Sequence, residues 1–206
     1  MTTRKRQIDF FDSDCTAEEQ IPRQFSVAFK EVGVGDKGEI RVVFNDTKQL
    51  GDIINDNAYE DDFYRYHDIF HYSFATLLGW SPCARAMMKK KRKSVTTLDE
   101  IEDGARAAIT EEAISMIIFN EAKRKEYFEG VTKVSRTTLR FIKEMTENFE
   151  VKVRSSREWE KAILKSYEIF RKLIANDGGK VEFDAVQKQI FYSKINENIS
   201  LKVIGN

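Results

Sequence analysis

Two kinds of hydrophobic spacing divide this chain. From Gln24 to Val32 apolar and polar positions alternate, with Phe25, Val27, Phe29 and Val32 on one side, the period of a strand with one buried face. Glu39 to Phe44 is a second β-branched strand, and Gly33 to Gly38 between them supplies turn chemistry, so the pair reads as a hairpin. From Phe63 the period becomes helical. Phe63, Tyr66, Phe70, Phe74 and Leu77 mark one stripe, while Tyr64, His67, His71, Ala75 and Leu78 mark another. A helix apolar on both sides belongs at the centre of its domain. Gly79-Trp80-Ser81-Pro82 ends it, and Pro82 suits the start of a second, shorter helix running to Lys93.

A third helix is expected from Leu98 to about Tyr127, with Gly104 near its start as a weak point, and a fourth over about Ser135 to Glu147. Ser155 and Glu158 have the spacing of a capping box and open a fifth, whose stripe is Trp159, Ile163, Tyr167, Phe170 and Ile174. Asn176-Asp177-Gly178-Gly179 closes it, and the tail returns to short alternating pieces at Val181–Phe183, Ile190–Tyr192 and Leu201–Ile204. The expected fold is therefore mainly α: a helical bundle of about five helices with small β elements at the N- and C-termini. Residues 1–22 read as a flexible lead-in, and residues 23–206 as a single domain.

Composition narrows the classes. With 41% hydrophobic and 33% charged residues, the 206-residue chain can bury a core and is not of the disordered type. The formal net charge is zero, so the surface as a whole advertises neither nucleic acid nor an anionic membrane. Cys15 and Cys83 match no metal or redox spacing and suit reduced thiols. No apolar core of signal-peptide length follows the basic start, and no stretch reaches the roughly 18 apolar residues of a membrane span. A cytoplasmic protein is the expectation.

The chemistry concentrates in a few segments. His67 and His71, the only two histidines, stand one helical turn apart with Asp68 between them. Side chains at i, i+1 and i+4 are neighbours on a helix, so the three converge. Histidine nitrogen suits transition metals, and aspartate oxygen suits magnesium or manganese. The plain alternative is a pair of packed core histidines, with Asp68 paired to Arg65 or Arg85. Glu100 and Asp103 share a face at the start of the third helix, and Glu111 and Glu112 follow in mid-helix against Ile114 and Ile117. Carboxylates there cost stability unless a cation or an arginine such as Arg106 compensates them. Asn57 and Tyr59, in the acidic loop before the first helix, are candidates for contacting a base or sugar; a capping loop is the alternative. Lys90, Lys91 and Arg92 belong to the densest basic run and could meet phosphates, or form a solvated helix end. Nothing else extends that patch, which argues against nucleic acid as a partner.

Taken together, Tyr66-His67-Asp68-Ile69-Phe70-His71, Leu78-Gly79-Trp80-Ser81-Pro82, Lys90-Lys91-Arg92-Lys93-Ser94 and Glu102-Asp103-Gly104-Ala105-Arg106 resemble a MazG-like branch of the all-α nucleoside triphosphate pyrophosphohydrolases. Glu111-Glu112, Glu150-Val151 and Glu158 to Leu164 extend the resemblance, which spans roughly residues 50–180. It implies hydrolysis of an NTP or dNTP to the monophosphate and pyrophosphate, with Mg²⁺ (or Mn²⁺) held by acidic residues of neighbouring helices, and a homodimer. The family pattern is a glutamate pair, a glutamate one turn later, and Glu-x-x-Asp on another helix. Here the first set reads His67-Asp68-x-x-His71; the second is Glu100-x-x-Asp103, or Glu111-Glu112 with Ser115 in the aspartate position. The expected site thus has His67, Asp68 and His71 as catalytic residues, with the metal on Asp68, Glu111, Glu112 and one of Glu100 or Asp103. The substrate would meet Asn57, Tyr59, Lys90, Lys91, Arg92 and Arg106. An HD-type metal phosphohydrolase and a non-catalytic nucleotide-binding module are the other classes, although HD-type chemistry normally needs histidines from further helices.

Overall fold

The computed structural model describes residues 10–32 and 38–195. In it the alternating stretches from opposite ends of the chain meet in one sheet. Strands β1 (Gln24–Glu31), β2 (Ile40–Phe44) and β3 (Lys48–Gln49) come from the N-terminal part, and β4 (Gly178–Asp184) and β5 (Gln189–Ser193) from the C-terminal part. Their order is β3-β2-β1-β4-β5, and every pairing is antiparallel. β1 lies in the middle, with Val27 opposite both Phe44 and Val181. Among the described residues the α-helices are α1 (Asp68–Leu77), α2 (Pro82–Met88), α3 (Ala105–Lys123), α4 (Arg136–Met145) and α5 (Ser156–Ile174).

This corrects the expected helical bundle with small β appendages. The molecule is a set of helices laid on a five-stranded antiparallel sheet. The physical reason is the apolar face made by Phe25, Val27 and Phe29 of β1, Ile40 and Val42 of β2, and Val181 and Phe183 of β4, all buried. Such a face must be covered. Rings do much of the covering: Phe25 stacks on Phe183 at 4.7 Å, and Tyr72 of α1 meets Phe183 edge-on at 6.1 Å. Behind α1, Phe70 stacks on Tyr167 of α5 at 4.6 Å.

Helix ends differ from the periodic reading in places that matter for the site. A 3₁₀ turn, Tyr64–Tyr66, precedes α1, and residues Asp68 to Thr76 are all buried, as befits a central helix. α2 stops at Met88, not Lys93, because Lys89 turns left-handed (φ 58°) and the Lys90 amide donates to the Arg85 carbonyl at 2.7 Å. The expected third helix is interrupted: a π turn over Leu98–Glu102 comes first, and α3 starts only at Ala105. Gly104 allows the break, since a Cβ there would lie 2.0 Å from the Glu100 carbonyl oxygen. The capping box at Ser155 and Glu158 is present.

Residues 10–22, expected as a flexible lead-in, form turns pinned by the buried Asp12. Its carboxylate accepts from the Ile21 amide, Arg23 and Arg85 at 2.7–2.9 Å. Residues 1–9, 33–37 and 196–206 lie outside the described residues, and with them most of the expected Gly33–Gly38 turn and the whole expected Leu201–Ile204 piece. Both cysteines are free thiols, and among the described residues no helix is long and apolar enough to cross a membrane.

Candidate metal centre

The site lies where α1, the start of α2 and the middle of α3 converge. Glu111 of α3 is completely buried, yet it faces no shortage of partners. One oxygen accepts from the Ser81 hydroxyl at 2.6 Å and from His71 Nδ1 at 2.9 Å, and the other from the Cys83 amide at 2.8 Å. Ser81 caps α2 by accepting from the Ala84 amide. Glu111 therefore ties the N-terminus of one helix to the imidazole of another, and satisfies donors that the first turn of α2 would otherwise leave unmet.

The ring tautomers follow from these contacts. Carboxylate and carbonyl oxygens only accept, so His71 Nδ1, facing Glu111, and His67 Nδ1, 2.9 Å from the Tyr64 carbonyl, must each carry a proton. His71 Nε2 is buried and makes no hydrogen bond, though it lies 3.3 Å from Glu112 Oε1. His67 Nε2 is 3.4 Å from Asp68 Oδ1. The His67 ring is fixed by parallel stacking on Tyr64, with centroids 4.3 Å apart. One ligand atom each from His67, His71 and Glu112 lie within 4.8 Å of one another. Such a set could hold a metal ion. A second group within the same limit, His71, Cys83 and Glu111, shares His71, but its Glu111 oxygens are already engaged by Ser81, His71 and the Cys83 amide.

Electrostatics agree with this crowding. Burial opposes charge on His71, but the adjoining Glu111 and Glu112 raise its pKa well above the ordinary imidazole value. Burial likewise works against the Glu112 carboxylate, and His71 nonetheless draws it down to about 2. Burial lowers His67, against the pull of Asp68. The Cys83 thiol is pushed by burial up to about 12 and stays protonated, 3.6 Å from the Ala108 carbonyl oxygen.

Of the residues expected at the site, His67, Asp68, His71, Glu111 and Glu112 are brought together, with the buried Ser115 one turn after Glu111. Asp103 is not among them. It belongs to a separate buried ion network: Arg92 meets both its oxygens at 2.7 and 3.0 Å, Arg85 approaches at 3.6 Å, and Arg92 also binds Glu150 at 3.0 Å. Arg92 is wholly enclosed there, with no surface for a substrate. Glu100 and Arg106 are exposed and line a cleft of about 330 Å³ beside α4. Lys90 donates to the Glu18 carbonyl at 2.7 Å, and the half-buried Lys91 follows it toward the Arg92 network. Asn57 and Tyr59 border a pocket of about 200 Å³ with Asp56 and Asp61, where Arg65 is held. Asp68 pairs with neither Arg65 nor Arg85 in the structure; its neighbour is His67.

Sequence reasoning missed Ser81, the Cys83 amide and Tyr64 as parts of the site. Ser81 before Pro82 is a readable cap, but that its hydroxyl also serves Glu111 depends on how α2 docks against α3.

The fold and site define a helix-on-sheet domain with a His and carboxylate cluster between its central helices. The chain matches the family model of the MazG C-terminal domain over residues 6–196, and it belongs to that family. No curated protein and no solved structure matches it.

Proposed function

We propose that this protein is a metal-dependent nucleotide pyrophosphohydrolase, converting an NTP or dNTP to the monophosphate and pyrophosphate. Membership of the MazG C-terminal domain family suggests the reaction class. The observation that carries the reading for this chain is the buried His71 Nε2, without a hydrogen bond and directed at Glu112 beside His67. A buried imidazole whose outer nitrogen meets a half-exposed carboxylate at ion-pair distance, without hydrogen-bond geometry, is a perturbed titratable group of the kind that marks functional positions. A divalent cation bound there would neutralise phosphate charge and make water more acidic. The chain's own residues do the rest. Glu111 and the Tyr64 carbonyl hold the two imidazoles by their Nδ1 protons, and Glu112, half exposed, connects the cluster with solvent. Asp68 lies at the first turn of α1 against His67 and supplies a further negative charge.

The test is to incubate purified protein with a panel of NTPs and dNTPs, with and without divalent ions, and to resolve the products by ³¹P NMR. Pyrophosphate with monophosphate is expected, dependent on the ion and reduced about 100-fold or more in His71→Gln and Glu112→Gln. Release of orthophosphate or intact triphosphate would favour the HD-type class. Nucleotide binding without turnover would favour a silent binding module. Full activity in His71→Gln would remove the proposed site.

A further inference from the structure

We propose that this cluster is built for a first-row transition-metal ion held by His67 Nε2, His71 Nε2 and the Glu112 carboxylate, and that it does not fit magnesium. The inference shares the cluster with the function proposed above but makes a separate claim about which ion the residues select.

Three observations carry it. The first is the supply of oxygen. Magnesium takes oxygen ligands in near-octahedral geometry and gives up its waters reluctantly. The carboxylates that would serve it are largely engaged elsewhere: Asp103 and Glu150 by Arg92, and Glu111 by Ser81, His71 and the Cys83 amide. Glu112 and Asp68 remain, and each stands against an imidazole nitrogen. The second is the preparation of the imidazoles. Each Nδ1 proton is spent on a fixed oxygen, the Glu111 carboxylate for His71 and the Tyr64 carbonyl for His67. In its neutral form each ring then carries its lone pair on Nε2, the arrangement found around metal-bound histidines, in which an outer carboxylate or carbonyl sets the tautomer and ring direction. The third is the geometry. His71 Nε2 is buried, has no hydrogen-bond partner and lies 3.3 Å from Glu112 Oε1, while His67 completes a set within 4.8 Å. Metal–nitrogen and metal–oxygen bonds of about 2.1 Å place neighbouring ligand atoms roughly 3.0–3.4 Å apart, so one edge already has the right length. Two imidazoles with one carboxylate are a donor set for ions such as Mn²⁺, Fe²⁺, Co²⁺ or Zn²⁺.

The experiment uses metal-free full-length protein. Co²⁺, Zn²⁺, Mn²⁺ and Mg²⁺ are titrated separately by calorimetry without nucleotide. The Zn²⁺ titration is repeated under ¹⁵N-detected NMR of the histidine rings, which the chain's two histidines make simple to assign. One equivalent of Co²⁺ or Zn²⁺ is expected to bind about 100-fold or more tightly than Mg²⁺. Zn²⁺ is expected to move both Nε2 resonances while both Nδ1 protons persist. His67→Asn should weaken Co²⁺ binding by about 10-fold or more and leave Mg²⁺ unchanged. That variant is chosen because the His67 side chain is 17% exposed, against 1% for His71, so it tests the site even where His71→Asn fails to fold. Equal or tighter Mg²⁺ binding, or histidine resonances untouched by saturating Zn²⁺, would overturn the proposal. Zn²⁺ bound through both histidines without nucleotide turnover leaves it standing and removes the hydrolase reading. Turnover with Mg²⁺ and silent histidines does the reverse.

Discussion

Replacing Glu111 by alanine takes one acceptor away from three donors at once. The Ser81 hydroxyl, the Cys83 amide and His71 Nδ1 all point at its carboxylate, between 2.6 and 2.9 Å, in a place with no solvent exposure. A hydrogen bond to a charged group contributes about 1.5–3 kcal/mol, and removing one partner of a buried ionic contact costs about 3–5 kcal/mol. These figures overlap, because Ser81 can turn its proton elsewhere, so the expected loss is about 4 kcal/mol. Against a typical stability of about 5–15 kcal/mol that is a large share. Glu111→Gln keeps the shape and one carbonyl oxygen but sets an amide NH₂ against a donor, and should cost about 2 kcal/mol. Urea unfolding followed by tryptophan fluorescence measures both, since Trp80 and Trp159 are buried. The Gln variant should also weaken metal binding by about 10-fold or more, acting through the orientation of His71. A loss below about 1 kcal/mol for Glu111→Ala would refute the reasoning, because it would mean that the three donors do not converge on this carboxylate.

Other perturbations test the frame that holds the site. Trp159, fully buried against Phe74 at 5.4 Å and Trp80 at 6.3 Å, should cost about 3–5 kcal/mol when replaced by alanine, read from the same urea transition. Gly178→Ala should destabilise by about 2 kcal/mol or more, because φ there is 116° and a Cβ would lie 2.3 Å from the Phe29 carbonyl oxygen of β1. Burial pushes the Glu150 carboxyl up to about 7, opposed by Arg92 and assisted by the charge on Glu102. The folded state then keeps a proton that the unfolded chain releases near its ordinary value of 4.5. Stability from this group is therefore highest below that value and falls as pH rises toward about 7, by up to about 1.4 kcal/mol per pH unit. Unfolding free energies from pH 5 to 8 should show this slope, and Glu150→Gln should flatten it; an unchanged slope in the variant would assign the effect elsewhere.

Much of the local structure was legible along the chain. The alternation of Phe25, Val27 and Phe29 marked β1, the double stripe marked α1 as a central helix, and Ser155 with Glu158 marked the start of α5. These are signals of one residue's neighbours within a turn or a strand, and local backbone geometry fixes them. The one-turn spacing of His67 and His71 was legible for the same reason, and so was the oddity of carboxylates at Glu111 and Glu112 against an apolar run.

What only the tertiary structure decided involves partners far apart in sequence. The hairpin near the N-terminus and the pieces near the C-terminus each alternate, but that β1 joins both into one sheet, Val27 opposite Val181, is a pairing across most of the chain that no local period contains. The two acidic sets of the third helix looked equivalent as patterns. Packing separated them: the π turn and Gly104 deliver Asp103 to Arg92 and Arg85, whereas Glu111 meets His71 and the end of α2. Arg92 changed from a candidate phosphate ligand to an enclosed ion-pair partner through the same docking. A buried charge takes whichever compensating group the fold places beside it, and that choice depends on distances between helices, which the order of residues leaves open.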